Sequence, residues 1–347
     1  MQISRRQWLG AAAGFSAVAL SGCGPTAPYG DALRTEEHFI SSPDPGIQIY
    51  AHNKRLASLT SFTPQRTVVF VHGATYPSET SFDLPLSGLS WMDYIAQRGY
   101  DVWLFDVRGY GRSTRPPEMD APAEQHPPLT TGVVAQRDVD AVVDFIRQRR
   151  GVERVTLLGW SWGATIMATF TIRQPAKVER LILYAPQFVR DNARSGAPPA
   201  APKTAYRVVN RTQARDRWLN GVPAAARDTL IPSGWFEAWA DATFATDPKG
   251  GGQTLRAPNG ILLDSSNSYW IGKPYYDPAQ IPVPTLLVVA EWDADTPPYM
   301  ATALHEQLTR APYKRLAILP EGTHMIIMER NRMRLFEEVQ RFLDSGQ

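Results

Sequence analysis

Thr67-Val68-Val69-Phe70-Val71 is an apolar run with no polar alternation, and runs of this kind recur from residue 36 onward, separated by stretches of helical periodicity. A strand without alternation has to be covered on both faces. Candidate strands fall at 38–41, 47–52, 67–71, 101–105, 154–158, 180–184, 285–290 and 315–319. Helices are expected at 87–98, 131–149, 161–173, 298–308 and 325–343. In the second of these, Val134, Val139, Val142, Val143 and Ile146 keep helical spacing, so one face is buried. Strands and helices in alternation build a mostly parallel sheet flanked by helices, an α/β fold.

Two segments break the alternation. Residues 114–128 are Pro-rich and read as a surface loop. Residues 188–282 are too long for a structureless connection inside a compact domain. They are rich in aromatics, among them Trp218, Trp235, Phe236, Trp239, Phe244, Tyr269, Trp270, Tyr275 and Tyr276. The expectation is an inserted, mainly helical cap on a core of residues 36–187 and 283–347. Such aromatics either line a site for an apolar or aromatic substrate group or only hold the cap to the sheet.

The chemistry concentrates at the ends of strands. Gly159-Trp160-Ser161-Trp162-Gly163 follows the apolar run Val155-Thr156-Leu157-Leu158 and opens a helical stretch. A nucleophile on a strand-to-helix turn needs small residues on both sides, and the helix N-terminus favours the negative charge that develops there. Acyl transfer also needs two backbone N–H groups facing the oxyanion. Trp162, after the nucleophile, is one expected donor. The loop His72-Gly73-Ala74-Thr75 after the strand at 67–71 supplies the other, with Ala74 preferred and Thr75 second. His72 reads as a brace for that loop. Asp293 and His324 each lie just past a strand, at the sheet edge where ligands bind in open parallel sheets. The order Ser161, Asp293, His324 matches a nucleophile, acid and base triad. Asp295 is the competing acid; Asp293 is preferred because it leaves its strand first. His38, His52, His126 and His305 show no metal-ligand spacing, and no cofactor or metal is expected.

These motifs resemble the α/β-hydrolase superfamily, in its capped branch of esterases, peptidases and carbon–carbon bond hydrolases. Asp106-Val107-Arg108-Gly109-Tyr110-Gly111-Arg112-Ser113 is similar to the scaffold turn such proteins carry after their fourth strand, and Ile281-Pro282-Val283-Pro284-Thr285 to their lead into the acid strand. The resemblance implies an eight-stranded sheet and a Ser triad; dehalogenases of this fold use Asp where this chain has Ser161. Ser161-Trp162-Gly163 is similar to the elbow of proline iminopeptidases. Their oxyanion loop, H-G-G-P-G, differs from His72-Gly73-Ala74-Thr75-Tyr76 here. Cofactor-free haloperoxidases share the triad.

The first residues read as an address. Ser4-Arg5-Arg6-Gln7-Trp8-Leu9 resembles a twin-arginine export signal, and the apolar stretch behind it is too short to span a membrane. Leu20-Ser21-Gly22-Cys23 resembles a bacterial lipobox, which implies removal of residues 1–22 and lipid on Cys23. Gly24 follows it, where an Asp would be the usual inner-membrane retention signal, so the resemblance implies the outer membrane, periplasmic side, in a cell with two membranes. Residues 23–35 are the expected tether. Loss of Arg5 and Arg6 leaves 34 Lys and Arg against 34 Asp and Glu. That balance excludes a basic nucleic-acid binder, and a lone Cys excludes an intrachain disulfide and a thiolate metal site. The expected function is an exported, lipid-anchored serine hydrolase acting on a small carboxylic ester or acyl substrate. The alternatives are an aminopeptidase of the proline iminopeptidase type, holding its substrate amine with Glu237, Asp241 or Asp247, and a non-catalytic surface binding module on the same fold.

Overall fold

The computed structural model describes residues 32–346; the twin arginines, Cys23 and most of the expected tether lie outside them. The chain forms β1 (Leu33–Ser41), β2 (Gln48–Leu56), β3 (Thr67–Val71), β4 (Asp101–Phe105), β5 (Val155–Trp160) and β6 (Val178–Tyr184). It leaves the sheet for β7 (Tyr206–Asn210) and β8 (Thr254–Pro258), and returns as β9 (Thr285–Ala290) and β10 (Lys314–Leu319). Eight strands make one sheet in the order β1-β2-β4-β3-β5-β6-β9-β10. Only β2 runs against its neighbours. This is the α/β-hydrolase fold, with β1 starting a little before residue 36.

The unbroken apolar runs now have their reason. Val69 and Val71 point into one core, with Leu157, Leu183, Leu287 and Val289; Val68 and Phe70 point into the other, with Leu158, Ile182, Leu286 and Val288. The first core is closed by the helices Gly132–Arg150 and Trp162–Arg173, the second by Trp91–Ala96 and Arg332–Asp344. Each central strand is therefore apolar on both sides. β10 lies at the sheet edge and stays half-exposed.

Two helices differ from the sequence reading. The helix expected at 87–98 is shorter because Ser90 caps it: its hydroxyl accepts from Asp93 N at 2.9 Å, and the Asp93 carboxylate accepts from Ser90 N at 3.0 Å. The helix expected at 325–343 is broken into a turn, Ile326–Met328, and the helix Arg332–Asp344. Glu329, between them, turns inward to accept from Thr323 N at 3.1 Å and from Trp218 Nε1 at 2.9 Å.

The excursion between β6 and β9 forms the cap, with helices Arg211–Trp218, Arg227–Leu230, Trp235–Phe244 and Gly260–Ser266. It is not only helical, for β7 and β8 pair antiparallel. Its aromatics hold it together. Trp218 and Trp239 meet edge to face at 5.2 Å, and Trp239 packs on Tyr76 of the core at 4.7 Å.

Candidate active site

The parallel register sets where the motifs meet. Val71 pairs with Gly159, Gly159 with Leu183, and Ala290 with Leu319. The loops after β3, β5, β9 and β10 therefore leave the sheet at the same edge.

Ser161 sits between β5 and the helix Trp162–Arg173 at φ 57°, ψ −116°, a conformation that costs a non-glycine residue on the order of 1–3 kcal/mol. Its backbone is held by Ser161 N donating to Tyr184 O at 2.8 Å and Ala164 N donating to Ser161 O at 3.0 Å. The flanking glycines are needed for close approach. A Cβ on Gly159 would lie 2.2 Å from Gly163 O, and one on Gly163 would lie 2.6 Å from both His72 O and Val71 O. Any side chain there would drive the elbow helix off the sheet.

His324 and Asp293 are joined by a 2.8 Å hydrogen bond from Nδ1 to Oδ2. Asp293 Oδ1 accepts from Asp295 N at 2.9 Å and Thr296 N at 2.8 Å, and the Thr296 hydroxyl lies 2.9 Å from Oδ2. The carboxylate is thus fixed by its own turn before it meets the imidazole. Thr296 was not read as a site residue, although Asp-x-x-Thr is a run in which an Asp side chain caps its own backbone. With Nδ1 bonded, Nε2 is the nitrogen left to face Ser161. Trp160 packs on the His324 ring at 5.4 Å, and Tyr184 OH donates to His324 O at 2.8 Å. Burial opposes a charge on the ring, but the Asp293 carboxylate and its hydrogen bond outweigh burial, so the His324 pKa is raised above 6.5. Asp295 turns the other way: its Oδ2 accepts from Arg217 Nε at 2.7 Å.

His72 is buried and braces the loop as expected. Its Nε2 accepts from Val107 N at 3.0 Å, so Nδ1 carries the proton and donates to Gly73 O at 2.6 Å. Ala74 O, next in the loop, accepts from Tyr110 OH at 2.8 Å and from Arg207 Nη2 at 2.7 Å. The loop's carbonyls are thereby tied to the scaffold and the cap. Ala74, Thr75 and Ser161 share one cavity wall with Gly73, Tyr76, Trp160, Arg217, His324 and Met325. That cavity is about 10 Å³, room for roughly one water. Trp162 is fully buried under it, at the first turn of the elbow helix.

None of the cap aromatics lines this cavity, which favours the second of the two readings: they pack against one another and hold the cap to the core. The cap contributes Arg217 instead. Glu237, Asp241 and Asp247 are not on the wall either. They pair with Arg215 at 3.9 Å, Arg211 at 2.7 Å and Arg256 at 2.6 Å. A larger groove of about 880 Å³ runs between Phe188–Arg194 and the helix Pro298–Gln307, away from Ser161. Among the described residues, Glu37, His52 and Glu79 bring potential metal-ligand atoms within 4.8 Å of one another. Arg112 already holds Glu37 at 2.6 Å and Asp83 faces His52 at 3.2 Å, so two of the three have protein partners.

Residues 66–331 match a family model described as the alpha/beta hydrolase fold. Among curated proteins, the uncharacterised protein YnbC of Escherichia coli K12 is 25% identical over 309 residues, which is 88% of this chain and 46% of that protein. Lipase member N of mouse is 25% identical over 147 residues, 42% of this chain and 37% of that protein. The chain thus matches less than half the length of these relatives. Among solved structures, a serine hydrolase, CCSP0084, from Cycloclasticus zankles superposes with a TM-score of 0.60 at 13% identity, covering 90% of this chain and 99% of that one. That likeness speaks to the fold.

Proposed function

The chain belongs to the alpha/beta hydrolase fold family, and from that premise we propose that it is a serine hydrolase that cleaves carboxylic esters through an acyl-enzyme on Ser161. The observation that carries this reading is the arrangement around His324, whose Nδ1 bonds Asp293 while the ring and Ser161 line one cavity. In the reaction, His324 Nε2 takes the hydroxyl proton as Ser161 Oγ attacks the ester carbonyl. Backbone N–H groups of Trp162 and of Ala74 or Thr75 receive the oxyanion. The C–O bond to the alcohol then breaks and His324 returns the proton to the leaving oxygen. Water, deprotonated by His324, attacks the acyl-enzyme and releases the acid and free Ser161. Asp293 holds the imidazole in the Nδ1–H tautomer and offsets its charge.

An ester fits better than a peptide amine. Arg217 on the cavity wall would repel an ammonium group, and the cap carboxylates that could attract one are matched to arginines elsewhere. We propose further that residues 1–22 export the protein and that Cys23 carries lipid. The direct test of the enzyme reading is Ser161→Ala. It should lower turnover of a p-nitrophenyl ester by on the order of 10⁴ to 10⁶ and abolish labelling by a fluorophosphonate probe. A wild-type protein that neither labels nor turns over an ester is the binding module instead.

A further inference from the structure

Arg217 reaches from the cap helix Arg211–Trp218 to the wall it shares with Ser161 and His324. Its Nε donates to Asp295 Oδ2 at 2.7 Å and its Nη1 to Thr75 Oγ1 at 2.9 Å. Arg207 of β7 donates to the same hydroxyl, also at 2.9 Å, and to Ala74 O. The remaining acceptors around Arg207 are neutral: Ala257 O, Pro258 O and Asn259 Oδ1. Two guanidiniums therefore converge on the loop beside Ser161. Among the described residues Asp295 is the single carboxylate paired with either of them.

The cavity has room for roughly one water, so an ester can enter only if part of the wall gives way. Most of that wall is fixed core. Gly73 abuts the elbow, where an added Cβ would come within 3.1 Å of the Ser161 Cβ, Tyr76 packs against Trp239, and Trp160 lies in the sheet. The Arg217 side chain is different, with 38% of its surface accessible. Swinging it aside separates it from Asp295. A neutral substrate would leave both charges short of a partner, whereas an anionic one restores a partner to the arginine.

We infer that the Arg217–Asp295 pair selects substrates by charge: the site takes esters that carry a carboxylate close to the scissile bond, and this carboxylate replaces Asp295 on Arg217. The displaced group is itself a carboxylate, so the exchange conserves the ion pair while the mouth opens. Asp295, one-quarter accessible, turns to water. This specificity rests on the serine-hydrolase reading and adds the class of ester to it.

The test compares p-nitrophenyl hemiglutarate with its neutral counterpart, in which the free carboxylate is capped as the methyl ester, using the full chain. Wild type should show a kcat/KM at least about tenfold higher for the anion at low salt, the size of one good ionic contact. Added sodium chloride should shrink that ratio. Arg217→Met should remove the preference, and Asp295→Asn should lower KM for the anion by freeing Arg217. Because a substitution at the cap can loosen the fold, inhibition of wild type by free glutarate, competitive and stronger than by glutaramide, provides a measurement without a variant. Equal kcat/KM for the two esters in wild type overturns the inference. So does an equal loss on both esters in Arg217→Met, which would assign the arginine to supporting the oxyanion loop. Failure on both esters together with no fluorophosphonate labelling removes the serine-hydrolase reading beneath it.

Discussion

Two aspartates two residues apart have different partners, and the proposed mechanism gives them different tasks. Asp293 faces His324, and Asp295 faces Arg217. Asp293→Asn should therefore cost about 10⁴ in turnover, by permitting the wrong His324 tautomer. Asp295→Asn should cost far less on a neutral ester. Steady-state kinetics of the two variants decide this, and a dead Asp295→Asn beside an active Asp293→Asn would reverse the assignment. The sequence favours Asp293 because it leaves β9 first, and the hydrogen bond to His324 agrees with that choice. The reason Asp295 is diverted was not, since Arg217 lies in a distant stretch of the cap. On the proposed mechanism His324 sets the pH response. Its pKa is raised above 6.5, so the ring is neutral, and able to act as base, only above that value. The profile of kcat/KM on a neutral ester should rise with pH through a single ionisation whose midpoint lies above 6.5. A midpoint below 6.5, or a flat profile, would remove His324 as the base.

At the scale of elements, the sequence specified most where both faces are buried. β3, β4 and β9 keep the bounds expected from the sequence, because every residue in them is enclosed. The break at Glu329 was hidden. The periodicity continues through it, and the force that stops the helix is a hydrogen bond to Trp218, more than a hundred residues away. β7 was missed for a similar reason: it pairs only with β8, across a long stretch of cap. The loop after β3 shows how one side chain joins elements. His72 ties the end of β3 to Val107 beyond β4, and burial pushes its pKa down to about 4. An imidazole with a depressed folded pKa binds its proton more readily in the unfolded chain between about pH 6.5 and 4. The stability it preserves is complete above 6.5 and is lost as pH falls through that window, about 3 kcal/mol in all. Urea denaturation at pH 7 and pH 4.5 should show a smaller acid loss for His72→Gln than for wild type. The same acid loss in both proteins would show that His72 does not titrate on unfolding.

The whole molecule combines a balanced charge with a fold that closes without covalent staples. The lone Cys23 lies outside the described sheet and cores, so the hydrophobic layers on either side of the sheet carry the fold. A chain of this kind can fold in a reducing compartment, which the proposed twin-arginine route would require. If residues 1–22 are removed, as we propose, 34 Lys and Arg face 34 Asp and Glu, and no excess of positive charge remains to hold an anionic membrane surface. Attachment would then depend on lipid. A single acyl chain binds a membrane with only about 10⁴ M⁻¹, whereas several chains on one residue anchor stably. Several chains are what a lipobox cysteine is expected to carry. Cys23→Ser should therefore shift the protein from the membrane pellet to the soluble or uncleaved fraction, while the specific activity of the purified enzyme on p-nitrophenyl esters stays the same, because Ser161, Asp293 and His324 belong to elements that do not involve residue 23. Arg5→Lys with Arg6→Lys should instead leave the precursor inside the cell. Wild-type protein recovered wholly in the soluble fraction with residues 1–22 still attached would show that these residues are not an address.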